Sequence, residues 1–369
     1  MRIAITKNTL RVPPTYFAVD HAMRLAQEFD FRIFTMIAEI VDETVDLPVV
    51  DAVPLRGLSF RAREYLIPAF QSVMTRRIRQ YRPNVIHQHF ATWSTPAVGA
   101  AVRDRIPMIT TLHGADVFAA SRNGGGALGW WNRRNCARAG ATSARILAVS
   151  EYLAGEAVRG GFPAARTEVH YQGIDSDYFT PASEPGSDSK PVIVFVGAVA
   201  EHKGIDHLVQ ASTELGRTRE HRLIVVGDGP MRPGLQATSA PHIEFLGPRD
   251  RSEIRDLLRG ASALALPTRR MPGWREAAGL VLLEAQACGT PVVAYRNGGT
   301  PEMLVDGTTG LLVDDGDIRG LGDALRSLID LEPVARRRMS EAARAFVVGS
   351  RSLAVSANEL AAHYHDVGA

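Results

Sequence analysis

Glu276 and Glu284 lie eight positions apart in WREAAGLVLLEAQACGTPVVAY (274–295), a segment whose centre is otherwise apolar. A carboxylate removed from water needs donors. Helix signals run from about Gly279 to Cys288, with Gly289 as the stop and Pro291 just beyond. Glu276 then precedes the helix and Glu284 is expected inside it, buried. Protein amides or an arginine could meet Glu284, and so could two sugar hydroxyls. Free amides at the helix start favour an anion. The small residues Ala277, Ala278 and Gly279 let a ligand approach that backbone. Phosphate on those amides with a carboxylate beside it suits a sugar nucleotide, although Glu276 would equally complement the helix dipole.

Two further segments carry candidate chemistry. In FVGAVAEHKGIDHLVQA (195–211) a strand ends at Gly197 and Lys203-Gly204 opens a helix. A lysine there opposes the dipole unless an anion lies between them; a solvated surface lysine is the plain alternative. In TTLHGAD (110–116) His113 ends a strand, with His87 and His89 at a neighbouring strand end. No Cys or carboxylate joins these histidines at ligand spacing, so no metal is expected. DSD (175–177) and VDDGD (313–317) read as turns, the second capping the helix after it.

The elements that must position these residues alternate. Strand-like runs fall at 2–6, 31–36, 84–89, 107–114, 145–150 and 168–173, then at 191–197, 221–229, 242–247, 263–268, 291–295 and 310–313. Helical patterns between them include 15–29, 62–81, 94–104, 150–160, 204–216, 251–260 and 318–330. Apolar strands alternating with helices imply parallel sheets covered on both faces. The stretch DSDYFTPASEPGSDSKP (175–191) breaks the rhythm as a linker. The expectation is α/β with two Rossmann-like doubly wound domains, residues 1–178 and 191–350, joined by a linker at 179–190. Residues 351–369 form a further helix that packs back on the N-terminal domain. Ligands of such sheets sit beyond the carboxyl ends of the strands, here in a cleft between the domains.

The 369 residues are 45% apolar and 22% charged, with a formal net charge of +2. That excludes dominant disorder and gives no overall basic field for nucleic acid. Two cysteines suggest reduced, structural thiols in a cytoplasmic protein. The N-terminus lacks the apolar core of a signal peptide, and no run is long enough to cross a membrane. No G-x-G-x-x-G follows a strand, which argues against a nicotinamide dehydrogenase.

The segments RPNVIHQHF, TTLHGAD, ILAVSEYLAGEAVRGG, GIDSDYF, FVGAVAEHKGID, VVGDGP, EFLG and EAAGLVLLEAQACGTPVVAYRNGGTPEMLVDGTTGLLV together resemble the retaining glycosyltransferases of family 4, with the GT-B architecture. The resemblance spans nearly the whole chain and leans towards exopolysaccharide-type bacterial enzymes, although natural-product transferases share the pattern. It implies that Glu284 binds the ribose and Glu276 the donor sugar. Amides around Gly279 and Leu280 receive the diphosphate, which Lys203 neutralises, and Gly197 lies on the same nucleotide-sugar side. His113 lies by the transferred sugar, and Arg249, after EFLG, contacts the base. It further implies a UDP- or GDP-sugar donor, a hydroxyl acceptor (glycan, lipid-linked sugar or small natural product), no metal and no other cofactor.

Two positions depart from the family. Ala198 stands where an arginine usually shares the diphosphate, and Arg11, His202, Arg269 and Arg270 are the candidates to replace it. The loop expected after the first strand, TKNTLRVPPTYF, lacks the usual glycines and offers Lys7, Asn8 or Arg11 as side chains for the acceptor. Two other readings remain open, a sugar-nucleotide-binding subunit and a GT-B epimerase. RAREYLIPAFQSVMTRRIRQYR (61–82) is basic and amphipathic: a solvated helix, or a peripheral contact with an anionic membrane face.

Overall fold

Thirteen parallel strands make two sheets in the computed structural model, which describes residues 1–13, 15–53, 55, 57–121, 126–182 and 190–369, with the backbone alone for 119–121. Residues 183–189 of the expected linker lie outside the described residues. The chain divides into unit 1, Met1–Gln172 with Leu353–Ala369, and unit 2, Gly173–Ser352.

Unit 1 holds β1 (Arg2–Val12), β2 (Asp30–Ile40), β3 (Val49–Asp51), β4 (Val85–His89), β5 (Met108–Leu112), β6 (Arg145–Ala148) and β7 (Thr167–Val169), in the order β3-β2-β1-β4-β5-β6-β7. Unit 2 holds β8 (Val192–Val196), β9 (Arg222–Val226), β10 (Ile243–Gly247), β11 (Ala263–Leu266), β12 (Val292–Tyr295) and β13 (Gly310–Val313), in the order β10-β9-β8-β11-β12-β13. Each order reverses once, between β1 and β4 and between β8 and β11. The connections leave in opposite directions there, opening a crevice beyond the strand ends. Both sheets are Rossmann-like, as the strand rhythm implies.

Four local expectations need correction. β1 does not stop at residue 6: β2 keeps pairing as far as Val12↔Ile40, and Leu10 and Val12 are fully buried. Lys7, Asn8 and Arg11 are therefore strand residues, not loop residues. Arg11 pairs at 2.7 Å with Glu39, its register partner on β2. The helix expected over 15–29 is a 3₁₀ turn (Tyr16–Ala18) and a short helix (Asp20–Arg24), neither with a capping side chain. The helix over 62–81 is broken into Phe60–Glu64 and Ile67–Tyr81, because Pro68 cannot donate to the turn before it. Ile67, Met74, Ile78 and Tyr81 are buried in unit 1; Arg77 donates to the carbonyl of Asp51 and Arg79 grips Asp104. Finally, β3 and the helices Ala115–Ser121, Ala127–Thr142 and Pro333–Ser350 had no sequence assignment. Among the described residues, no helix is long and apolar enough to cross a membrane.

The terminal helix Leu353–Gly368 completes unit 1. Its Ala357, Leu360, Ala361 and Tyr364 join Ile3, Ile5, Val85, Ile109 and Leu147 in one buried core. Tyr364 is 1% exposed and its hydroxyl lies 2.6 Å from Nδ1 of His87. Tyr364→Ala removes a core aromatic ring and should cost about 3–5 kcal/mol of unit 1 stability in urea titration. A loss below about 1 kcal/mol would show that the helix contributes little.

Candidate functional site

In unit 2, Gly197, Lys203, Glu276 and Gly279 lie on the loops that follow β8 and β11. The chain leaves β8 through Gly197 and exposed Ala198, then turns through the 3₁₀ helix Glu201–Lys203 into the helix Ile205–Leu215. Gly204 has φ 64°, and a Cβ there would lie 2.0 Å from the carbonyl oxygen of Pro267, just past β11. Only glycine permits this approach. The amide of Arg269 adds a 2.9 Å bond to the carbonyl of His202. The glycines of VVGDGP serve the same loop: Cβ atoms on Gly227 and Gly229 would fall 1.9 Å from Gly197 O and 2.4 Å from Val199 O.

Beyond β11, Pro272-Gly273 turns the chain back so that Met271 and Trp274 bridge, with Gly273 at φ 67°. Arg275 donates to the carbonyls of Met271 and Trp274 and braces this turn. Glu276 follows, and its backbone is fixed from β12. Gly299 N–H donates to Glu276 O at 2.9 Å, and a Cβ on Gly298 would lie 2.0 Å from that oxygen. Asn297 Nδ2 holds Thr268 O at 2.9 Å. The NGGTPE turn is thus a clamp on the Glu276 loop.

Lys203 and Glu276, predicted separately, meet. Lys203 Nζ is 2.5 Å from Glu276 Oε2, with the side chains 19% and 12% exposed, and Thr268 Oγ1 donates to the same oxygen at 3.2 Å. The indole of Trp274 lies 5.3 Å from the ammonium and 4.5 Å, edge to face, from the His202 ring. Breaking so enclosed a pair by removing one partner leaves an uncompensated charge. An incoming anion for Lys203 and hydroxyls for Glu276 would replace the pair without that cost. The helix Leu280–Ala287 starts beside them at Gly279 (φ 90°), with no capping side chain and no acid in its first turn. The amide of Leu282 already donates to Gly279 O at 2.9 Å, whereas that of Leu280 has no intrahelical acceptor. Glu284 lies one turn in, half-buried and not fully buried as expected, and Gly289 (φ 78°) ends the segment. Arg249 stands apart on the exposed loop after β10, leaning on Glu253 at 3.6 Å.

In unit 1 the histidines stack. Ring centroids are 4.5 Å apart for His87 and His89 and 5.2 Å for His89 and His113. Gln172 Nε2 donates to His113 Nδ1 at 3.2 Å, which leaves the His113 proton on Nε2, 3.0 Å from His89 Nδ1. Burial first, then the neighbouring cations and rings, holds His113, His89 and His87 well below the usual imidazole range. The backbone under His113 is fixed by Asp116, which is fully buried. Its carboxylate accepts from the amides of Ala91, His113, Gly114 and Val117 and so ties the loop after β4 to the loop after β5. Phe90 between them has φ 65°, unusual for a bulky residue, and turns its ring to 4.5 Å from His113. Lys7 reaches the Phe17 and Phe90 rings at 5.9 and 5.5 Å, and burial pushes its ammonium down to about 8. With Thr6, Asn8, Gln88 and Trp93, Lys7 also borders a shallow recess.

Sequence reasoning missed Asp116, Gln172, Thr268 and Trp274. Two signals were present: Asp116 sits three residues past His113 at the start of a helix, and Pro-Gly before Trp274 marks a turn. Gln172 and Thr268 carry no local signal. Among the described residues, no three His, Cys, Asp or Glu side chains are grouped as a metal site.

Residues 15–178 match the family described as Glycosyltransferase Family 4, and residues 179–346 that described as Glycosyl transferases group 1. The D-inositol 3-phosphate glycosyltransferase of Corynebacterium diphtheriae is 32% identical over 83% of this chain and 77% of its own. That of Mycolicibacterium smegmatis is 28% identical, over 88% and 80%. Among solved structures, Anabaena HepE in complex with UDP-glucose is similar at TM-score 0.80 and 18% identity, over 99% of this chain and 100% of that one. Sucrose-phosphate synthase from Thermosynechococcus elongatus gives 0.78 and 20%, over 100% and 99%.

The unit 1 cluster makes stability depend on pH. Burial holds His21 down to about 3 and His170 down to about 4. The unfolded chain takes up protons near the ordinary value of about 6.5, and the folded rings do not. Stability is therefore complete above that value and declines as pH falls through it. The thermal midpoint should drop steadily from pH 7 to pH 4.5, and less steeply in His170→Gln. Equal slopes in the two proteins would remove His170 from this account.

Proposed function

The chain belongs to the family 4 and group 1 glycosyltransferases with the GT-B fold, and from that premise we propose that it moves a sugar from a nucleoside-diphosphate donor to a hydroxyl acceptor, with retention of anomeric configuration and without a metal ion. The observation that carries this reading is the Lys203–Glu276 pair beside the open start of Leu280–Ala287. A cation, free amides and a carboxylate are the partners that a diphosphate and its attached sugar require together.

In the donor complex Lys203 and the amides at Gly279 and Leu280 take the diphosphate, Glu276 accepts from hydroxyls of the sugar, and Glu284 accepts from the ribose. The bond from the anomeric carbon to the diphosphate oxygen breaks as the acceptor oxygen adds on the same face. The departing phosphate oxygen takes the acceptor's proton, so no enzymic base is consumed. The protein's work is positioning and charge stabilisation. The role beside the transferred sugar that the resemblance implies for His113 remains part of this proposal; within unit 1 its ring is neutral and held by Gln172 and His89. HepE is solved with UDP-glucose, which makes UDP the first nucleotide to test, and the inositol 3-phosphate relatives make a phosphorylated polyol the first acceptor to test.

Calorimetry with UDP, GDP and ADP, followed by transfer assays and NMR of the product's anomeric centre, tests the reading. An inverted product would overturn retention, and donor binding without transfer to any acceptor would favour a binding subunit. Glu284→Ala should weaken nucleoside-diphosphate affinity roughly 10- to 100-fold, the range expected for lost hydrogen bonds to a charged group. Unchanged affinity would remove its ribose role. Glu276→Gln should depress kcat while leaving nucleoside-diphosphate affinity within about threefold.

A further inference from the structure

The charge balance of the unit 2 crevice is incomplete for a diphosphate. Lys203 is the cation at its centre, and Glu276 already offsets it. A diphosphate brings negative charge and gains more as the glycosidic bond breaks, and Ala198 offers only a methyl group at the strand end. Some other donor must stand close. Arg269 is committed to Asp206 at 3.2 Å, with Glu201 at 3.9 Å. Arg270 is 64% exposed and turned to Asp315. Arg275 is spent on the carbonyls of its own turn. Arg11 belongs to unit 1 and is paired with Glu39.

His202 differs from all of these. It precedes Lys203 on the same 3₁₀ turn, and its carbonyl is pinned by the amide of Arg269 at 2.9 Å. Its ring stands edge-on to Trp274 at 4.5 Å and 65°, the indole that also lies 5.3 Å from the Lys203 ammonium. One aromatic side chain thus touches both the imidazole of His202 and the ammonium that Glu276 pairs. We propose that His202 is the second cationic contact of the diphosphate, held beside Lys203 by Trp274 and donating a hydrogen bond to a phosphate oxygen in the donor complex.

The proposal rests on reading unit 2 as a nucleoside-diphosphate site. The groups around His202 are Glu201 and Lys203 on its own turn, and Arg269, Trp274 and Glu276 from the loop after β11. In the free protein, partial burial and then the Lys203 ammonium hold the imidazole below its ordinary value, with Glu276 opposing them. A bound diphosphate reverses that balance, since a nearby anion favours the charged ring. Binding should therefore take up a proton. Among the residue types here, imidazole is the one that ordinarily changes charge near neutral pH. The other imidazole nearby, His207, is turned to the Tyr295 hydroxyl at 3.2 Å.

The test is calorimetric titration of the full chain with UDP between about pH 7 and 9, in buffers of different ionisation enthalpy. Affinity should fall as pH rises, with net proton uptake near pH 7.5. His202→Gln should lose most of that uptake and bind UDP about tenfold more weakly at pH 7, with little difference at pH 9. His202→Arg should restore affinity at both pH values with no proton uptake. UDP bound by His202→Gln with wild-type affinity and proton uptake would overturn the inference and leave the nucleotide reading standing. A wild-type protein that binds no nucleoside diphosphate at all would overturn the reading itself. Thermal midpoints of both variants within a few degrees of wild type show that the comparison is between folded proteins.

Discussion

Lys203 and Glu276 come from loops 73 positions apart in the chain, and their meeting at 2.5 Å depends on backbone approaches that a single methyl group would forbid. Gly204 lets the first loop lie on Pro267, and Gly298 lets the turn after β12 press on Glu276. The ion pair is the visible result of those approaches. The tolerance of the pair to misplacement is small because both side chains are largely enclosed, and a charge there cannot fall back on water. Much of the local sequence in unit 2, including NGG and the glycines of VVGDGP, is explained by this one requirement of close backbone contact.

Unit 1 solves a different problem by a different means. Its candidate residue, His113, is an imidazole held neutral in a crowded stack, and the fixed anion beside it is buried Asp116. Burial pushes that carboxyl up, while the amides of Ala91, His113 and Val117 pull it back. The carboxylate thus acts as a staple between the ends of β4 and β5. The positive φ of Phe90 is held by Gln88, which donates to its carbonyl at 3.0 Å, and by its own amide bond to Thr111 O at 3.0 Å. Such a conformation persists only where its surroundings over-determine it.

Sequence alone revealed what depends on local pattern. Alternating apolar strands and helices gave both sheets, and the small residues before Leu280 exposed the helix start beside Glu276. The reading failed where a distant partner decides the outcome. β1 continues past Thr6 because β2 is there to pair with it, and nothing in KNTLRV announces that partner. Arg11 looked free for the same reason, since its mate Glu39 is set by strand register. Gln172 and Trp274 act on His113 and Lys203 from far along the chain. Only Pro272-Gly273 hinted at the turn that presents Trp274.

The helix that closes unit 1 is assembled from residues made after all of unit 2. Ile3, Ile5 and Val85 precede unit 2 in the chain, and their cover, Leu360 and Tyr364, follows it. Unit 2 is continuous in the chain and has no such wait. The second sheet can therefore be completed while the first still lacks the helix that covers its apolar face.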